Sequence, residues 1–96
     1  MYAGYVSFKL GPGMRTMGEK LADQFAPAFK AAKGCTGVTF FADWETGEYQ
    51  TLSLWQAKED HDAFVASARP QLEQAVAGIV KEPPFMKLFE VYEPKS

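Results

Sequence analysis

The chain has 96 residues and a mass of 10.7 kDa, which suits a single domain over residues 1–96 and is too little for two independent cores. A 47% hydrophobic, 23% charged composition excludes a disordered chain. The net charge of −2 excludes attachment to nucleic acid chiefly by counterion release, and a single cysteine, Cys35, excludes an internal disulfide framework.

Residues 2–10 alternate and predict a strand, with Tyr2, Gly4, Val6, Phe8 and Leu10 on one face. Gly11-Pro12-Gly13 ends it and lacks the further glycines and lysine of a phosphate loop. Residues 14–33 predict a helix with a stripe of Met14, Met17, Leu21, Phe25, Ala28, Phe29 and Ala32. Pro27 should kink or split it, and Lys33-Gly34 suits its end.

Residues 37–44 and 49–56 predict two strands, joined at the polar Glu45-Thr46-Gly47-Glu48 in a hairpin. Residues 58–80 predict a second helix, with acids in its first turn and a break expected at Pro70, where Ser67 is placed to cap a new segment. Residues 85–92 predict the last strand, after Pro83-Pro84 and before Pro94.

The order β-α-β-β-α-β is the ferredoxin-like plan, an α+β two-layer sandwich with helices on one face of the sheet. The other face carries Leu52 with Leu54, or Tyr49 with Trp55, according to register. Either set is too apolar to stay wet, so a homodimer is expected. No basic, apolar leader is visible at Met1–Tyr5, and no apolar run approaches the roughly 20 residues of a membrane span. The expectation is a cytoplasmic protein with no membrane or nucleic-acid partner.

His61 is the only histidine, hence the only side chain of a type that titrates near neutrality. It is a candidate general base, or a surface residue on the second helix's first turn, among Glu59, Asp60 and Asp62. Trp55 is a core or interface aromatic, or part of a pocket, and Tyr49, Thr51 and Ser53 share its strand face and offer hydroxyls. Trp44, beside the hairpin turn, suits a dimer or edge contact. Arg69 is placed to bind a carboxylate or phenolate, or is solvated. Cys35 has no evident base partner and reads as an idle thiol. No ligand spacing supports a metal site.

The run Gln50-Thr51-Leu52-Ser53-Leu54-Trp55-Gln56-Ala57-Lys58-Glu59-Asp60-His61-Asp62-Ala63-Phe64-Val65-Ala66-Ser67, with Gly34-Cys35-Thr36-Gly37-Val38, resembles the antibiotic biosynthesis monooxygenase family of the dimeric α/β-barrel superfamily. The resemblance extends over nearly the whole chain. It implies a homodimer whose sheets face each other, forming a dimeric α/β barrel, and a small-molecule pocket between sheet and helices in each subunit. Some members oxygenate aromatic polyketides with dioxygen and no cofactor, others open haem, and others isomerise or degrade small metabolites.

The chain departs from the family pattern in having no asparagine. The haem branch's asparagine, tryptophan and histidine correspond to about Val6, Phe64 and Gln74, so haem chemistry is not expected. In the polyketide branch, Thr51 is the nearest substitute for the active-site asparagine, with one hydroxyl in place of an amide's separate donor and acceptor. The resemblance thus implies cofactor-independent oxygenation of a small aromatic or quinol-like compound. His61 would be the base, with Trp55 and Thr51 beside it and Val6, Phe8, Tyr49, Phe64 and Arg69 contacting substrate. A non-oxidative isomerase and a non-catalytic dimeric binder of a small apolar ligand are the alternatives on this fold.

Overall fold

A computed structural model describes residues 1–95. The elements run β1 (Tyr2–Lys9), α1 (Arg15–Ala31), β2 (Cys35–Asp43), β3 (Glu48–Trp55), α2 (Lys58–Ala75) and β4 (Phe85–Glu90). They build one four-stranded antiparallel sheet in the order β2-β3-β1-β4. This is the α+β ferredoxin-like arrangement that the alternation of strand and helix patterns predicts.

Strand periodicity sorts the side chains. Along β3, Tyr49, Thr51, Ser53 and Trp55 are buried on the helix side, while Leu52 and Leu54 point the other way. The register sets Val6 between Thr51 and Met86, and Gly4 between Ser53 and Leu88. The choice left open by the sequence is therefore settled: the uncovered face carries Leu52 and Leu54, joined by Phe41, Phe85 and Phe89, all but Leu54 exposed. On that face Tyr5 donates a hydrogen bond to Gln50 Oε1.

The β2–β3 turn is held by Asp43, whose Oδ1 accepts from the backbone N–H groups of Glu45 (3.0 Å) and Thr46 (3.3 Å). Gly47 takes φ 78° there, against the backbone of Gly11, and its carbonyl accepts from Leu10 N–H at 2.7 Å. A side chain has no room at this crossing. Trp44, just past the end of the edge strand β2, lies over Gly18 of α1, with the Arg15 guanidinium 5.6 Å from its ring centroid.

Both helices run through their prolines rather than breaking. Pro27 lies inside α1 and Pro70 inside α2. The carbonyls that lose a partner belong to Asp23 and Ala66, and all four residues are exposed. Water can serve those carbonyls, so the lost bonds do not end the helices. The helices do end earlier than the apolar pattern suggests, at Ala31 and Ala75. Ser67 accordingly lies within α2, with no segment to cap.

The two helices are held unequally. Helix α1 buries Gly18, Leu21, Phe25 and Phe29 at steps of three and four and packs along β2. Helix α2 buries Leu72 alone and meets the sheet chiefly at β3. Among the described residues, no helix is long and apolar enough to cross a membrane.

Candidate functional site

A cavity of about 50 Å³ lies between the sheet and the helices. Its origin is a floor of small side chains under a ring of large ones. Gly4, Val6, Thr51 and Ser53 are short, whereas Phe8, Phe25, Phe29, Phe40 and Phe64 form walls. An apolar cavity of roughly 150 Å³ accepts a benzene-sized guest. The walls must therefore part to admit an aromatic ring, and α2, anchored by Leu72, is the wall most easily moved.

Seven of the eight residues singled out from the sequence line this cavity: Val6, Phe8, Tyr49, Thr51, His61, Phe64 and Arg69. Trp55 is not among the lining residues and takes the core position that its sequence reading also allowed. It is fully buried behind the wall, with ring centroids 5.3 Å from Phe64 and 6.5 Å from Phe29. The alternation of β3 puts Trp55 on the cavity side, but the strand has already passed beyond the cavity where it sits.

His61 turns inward. Its side chain is only 13% exposed, although it follows Glu59 and Asp60 on the first turn of α2. The ring edge with Nε2 and Cδ2 lies over Gly4. A β-carbon on Gly4 would stand 2.9 Å from Nε2, 2.8 Å from Cδ2 and 2.9 Å from Ser53 Oγ. The missing side chain of Gly4 is thus the space that the imidazole occupies.

Two groups fix that imidazole. Its Nδ1 is 3.2 Å from Asp62 Oδ1; in the tautomer with the proton on Nδ1, that N–H donates to the carboxylate and Nε2 is free to accept. The Trp55 ring meets it edge-on, at 5.6 Å and 83°. Trp55 also donates its indole N–H to Ser53 Oγ at 2.8 Å, and Ser53 donates to the Gly4 carbonyl at 3.4 Å. A fully buried tryptophan thereby has its one polar atom satisfied and ties down the neighbouring hydroxyl.

The remaining polar groups differ in freedom. Arg69, half exposed at the cavity rim, holds Glu73 through Nε at 3.2 Å. Thr51 is buried on the floor. Tyr49, 4% exposed, stacks on Phe8 at 4.9 Å, and its hydroxyl has no partner among the described residues. Burial, with the negative charge of Asp23, pushes its pKa up to about 12. An unpaired buried hydroxyl costs about 1–3 kcal/mol.

Ser53 offers its hydroxyl beside Trp55, as the shared strand face suggests. Asp62 and Gly4 carry no such signal in the sequence: Asp62 reads there as one more surface acid, and Gly4 acquires meaning only through the β1–β3 register. Among the described residues, no group of three or more His, Cys, Asp or Glu side chains is placed to hold a metal ion.

Two helices on one face of an antiparallel sheet, enclosing an apolar cavity with one inward histidine, define an α+β ferredoxin-like protein with a candidate small-molecule site. Solved structures with this fold carry the name that the sequence run Gln50–Ser67 suggested. A Bordetella bronchiseptica protein provisionally named an antibiotic biosynthesis monooxygenase superposes with TM-score 0.74 at 24% identity, covering 96% of this chain and 97% of that one. A Deinococcus radiodurans protein with the same provisional name gives TM-score 0.78 at 15% identity, covering 100% and 97%. A Streptomyces coelicolor monooxygenase, solved in complex with the ligand nanaomycin D, gives 0.77 at 14% identity, covering 99% and 90%. At these identities the likeness is one of fold. No protein-family profile and no curated protein matches the sequence.

Proposed function

We propose that this chain is a cofactor-independent monooxygenase of a small aromatic or quinol-like compound, acting as a homodimer. The observation that carries the reading is the His61 imidazole, turned from the surface into an apolar cavity and seated over Gly4. The names of the structures sharing the fold support the reaction class.

In this reading the ligand's ring lies among Phe8, Phe29 and Phe64, with its hydroxyl toward Nε2 of His61. His61 takes the phenolic proton while Asp62 holds Nδ1–H and steadies the imidazolium. The electron-rich anion passes an electron to dioxygen, and the two radicals join in a new carbon–oxygen bond. Loss of water from the resulting hydroperoxide leaves a quinone. One oxygen atom stays on the ring, the other leaves as water, and dioxygen is the only oxidant. The protein supplies orientation, a dry site and the base.

The homodimer reading rests on the uncovered sheet face. Phe41, Leu52, Phe85 and Phe89 form an apolar surface that a second copy of the same face would cover. The free thiol of Cys35 suits a reducing cytoplasm.

Oxygen consumption with a panel of hydroquinones and naphthols tests the reaction. The wild type should consume oxygen faster than uncatalysed background, and His61→Gln should lower that rate about 100-fold or more. Equal rates in the two proteins would remove His61 as the base. Product formed under argon would instead indicate an isomerase, and saturable binding without product a ligand carrier.

A further inference from the structure

Tyr49 lines the cavity four residues before Ser53 on the same face of β3. The two α-carbons are about 13 Å apart along the strand. His61 sits at the Ser53 end, so Tyr49 marks the opposite end, toward the hairpin. Its ring is fixed by stacking on Phe8 at 28° and by the nearby rings of Phe40 and Trp44. Its hydroxyl is sealed from solvent and lacks any partner among the described residues. The ring lines one end of an apolar cavity, and its hydroxyl is a buried polar atom left unpaired within the surrounding wall.

We propose that the Tyr49 hydroxyl is a hydrogen-bond donor reserved for a neutral carbonyl oxygen on an aromatic ligand, which it meets when the ligand parts the cavity walls. This deepens the proposed function and rests on the cavity being the ligand site. The hydroxyl keeps its proton throughout the physiological range and so has an O–H to donate, which a carbonyl oxygen can accept. The partner is neutral because burial and the charge of Asp23, which together hold the tyrosine uncharged, oppose an anion at the same place. The ligand therefore presents a ketone or quinone oxygen toward the hairpin end and its acidic hydroxyl toward His61.

Titration of the wild type and Tyr49→Phe with acetophenone, ethylbenzene and benzoate tests this. Acetophenone and ethylbenzene differ by one carbonyl oxygen. Tyr49→Phe should weaken acetophenone about tenfold and leave ethylbenzene unchanged. The melting temperature of Tyr49→Phe without ligand should equal or exceed that of the wild type, since only an unpaired hydroxyl is removed. Equal losses for acetophenone and ethylbenzene, or a loss confined to benzoate, would overturn the assignment. So would a lower melting temperature, which would give the hydroxyl a structural partner. If none of the three compounds binds the wild type, the cavity is not the ligand site and the proposed function fails with it. Binding that ignores the carbonyl overturns the Tyr49 assignment alone.

Discussion

Trp55→Ala should lose about 3–5 kcal/mol of stability, the usual cost of emptying a buried tryptophan site. The side chain is fully buried, packs on Phe29 and Phe64, and supplies the hydrogen bond that fixes Ser53. A domain of this size has about 5–15 kcal/mol in all, so a large share of the margin goes. Thermal unfolding should fall by about 20 °C. Trp55→Phe keeps much of the volume but removes the indole donor, and should lose less than half as much. Because Trp55 lies behind the cavity wall, its effect on turnover should run through the position of His61 and Ser53. A loss under 1 kcal/mol for Trp55→Ala would contradict its place at the centre of the core.

Gly4→Ala adds one methyl group where the imidazole lies. The new carbon would meet His61 Nε2 and Ser53 Oγ at 2.9 Å, well inside van der Waals contact. The imidazole is the end of a side chain on the loosely seated α2, so it moves and the strand does not. Stability should fall by only about 1 kcal/mol. Turnover in the proposed reaction should fall about 100-fold, because misplacing a catalytic group by about 1 Å has an effect of that size. The titratable groups are unchanged, so the substitution separates the place of His61 from its chemistry. Wild-type turnover in a folded Gly4→Ala protein would show that the base lies elsewhere.

The sheet and its hairpin were legible because β3 alternates cleanly and Gly47 stands between two apolar runs. The prolines misled, since their effect depends on where the freed carbonyls point. Asp23 and Ala66 are exposed, and the helices continue. His61 was ambiguous because its acidic neighbours suggest a solvated turn. The signal that resolves it is helical spacing. His61 stands three and four residues before Phe64 and Val65, and Ala68 and Leu72 continue the stripe onto the cavity. Gly4 was silent in the sequence, since an absent side chain matters only when β1 is set against β3 and α2 is laid across both. Trp55 shared a face with the site residues but lay one step beyond the cavity, a distance that alternation does not encode.

In the proposed function an aromatic hydroxyl compound enters the cavity beside His61. With a single histidine in the chain, the imidazole Cε1–H group gives one NMR resonance that needs no assignment. Titration with 2-naphthol at constant pH should move that resonance saturably, and Gly4→Ala should abolish or reverse the movement. An immobile imidazole resonance, while signals from the uncovered face of Phe85 and Phe89 shift, would place the ligand on the wrong side of the sheet and contradict the account.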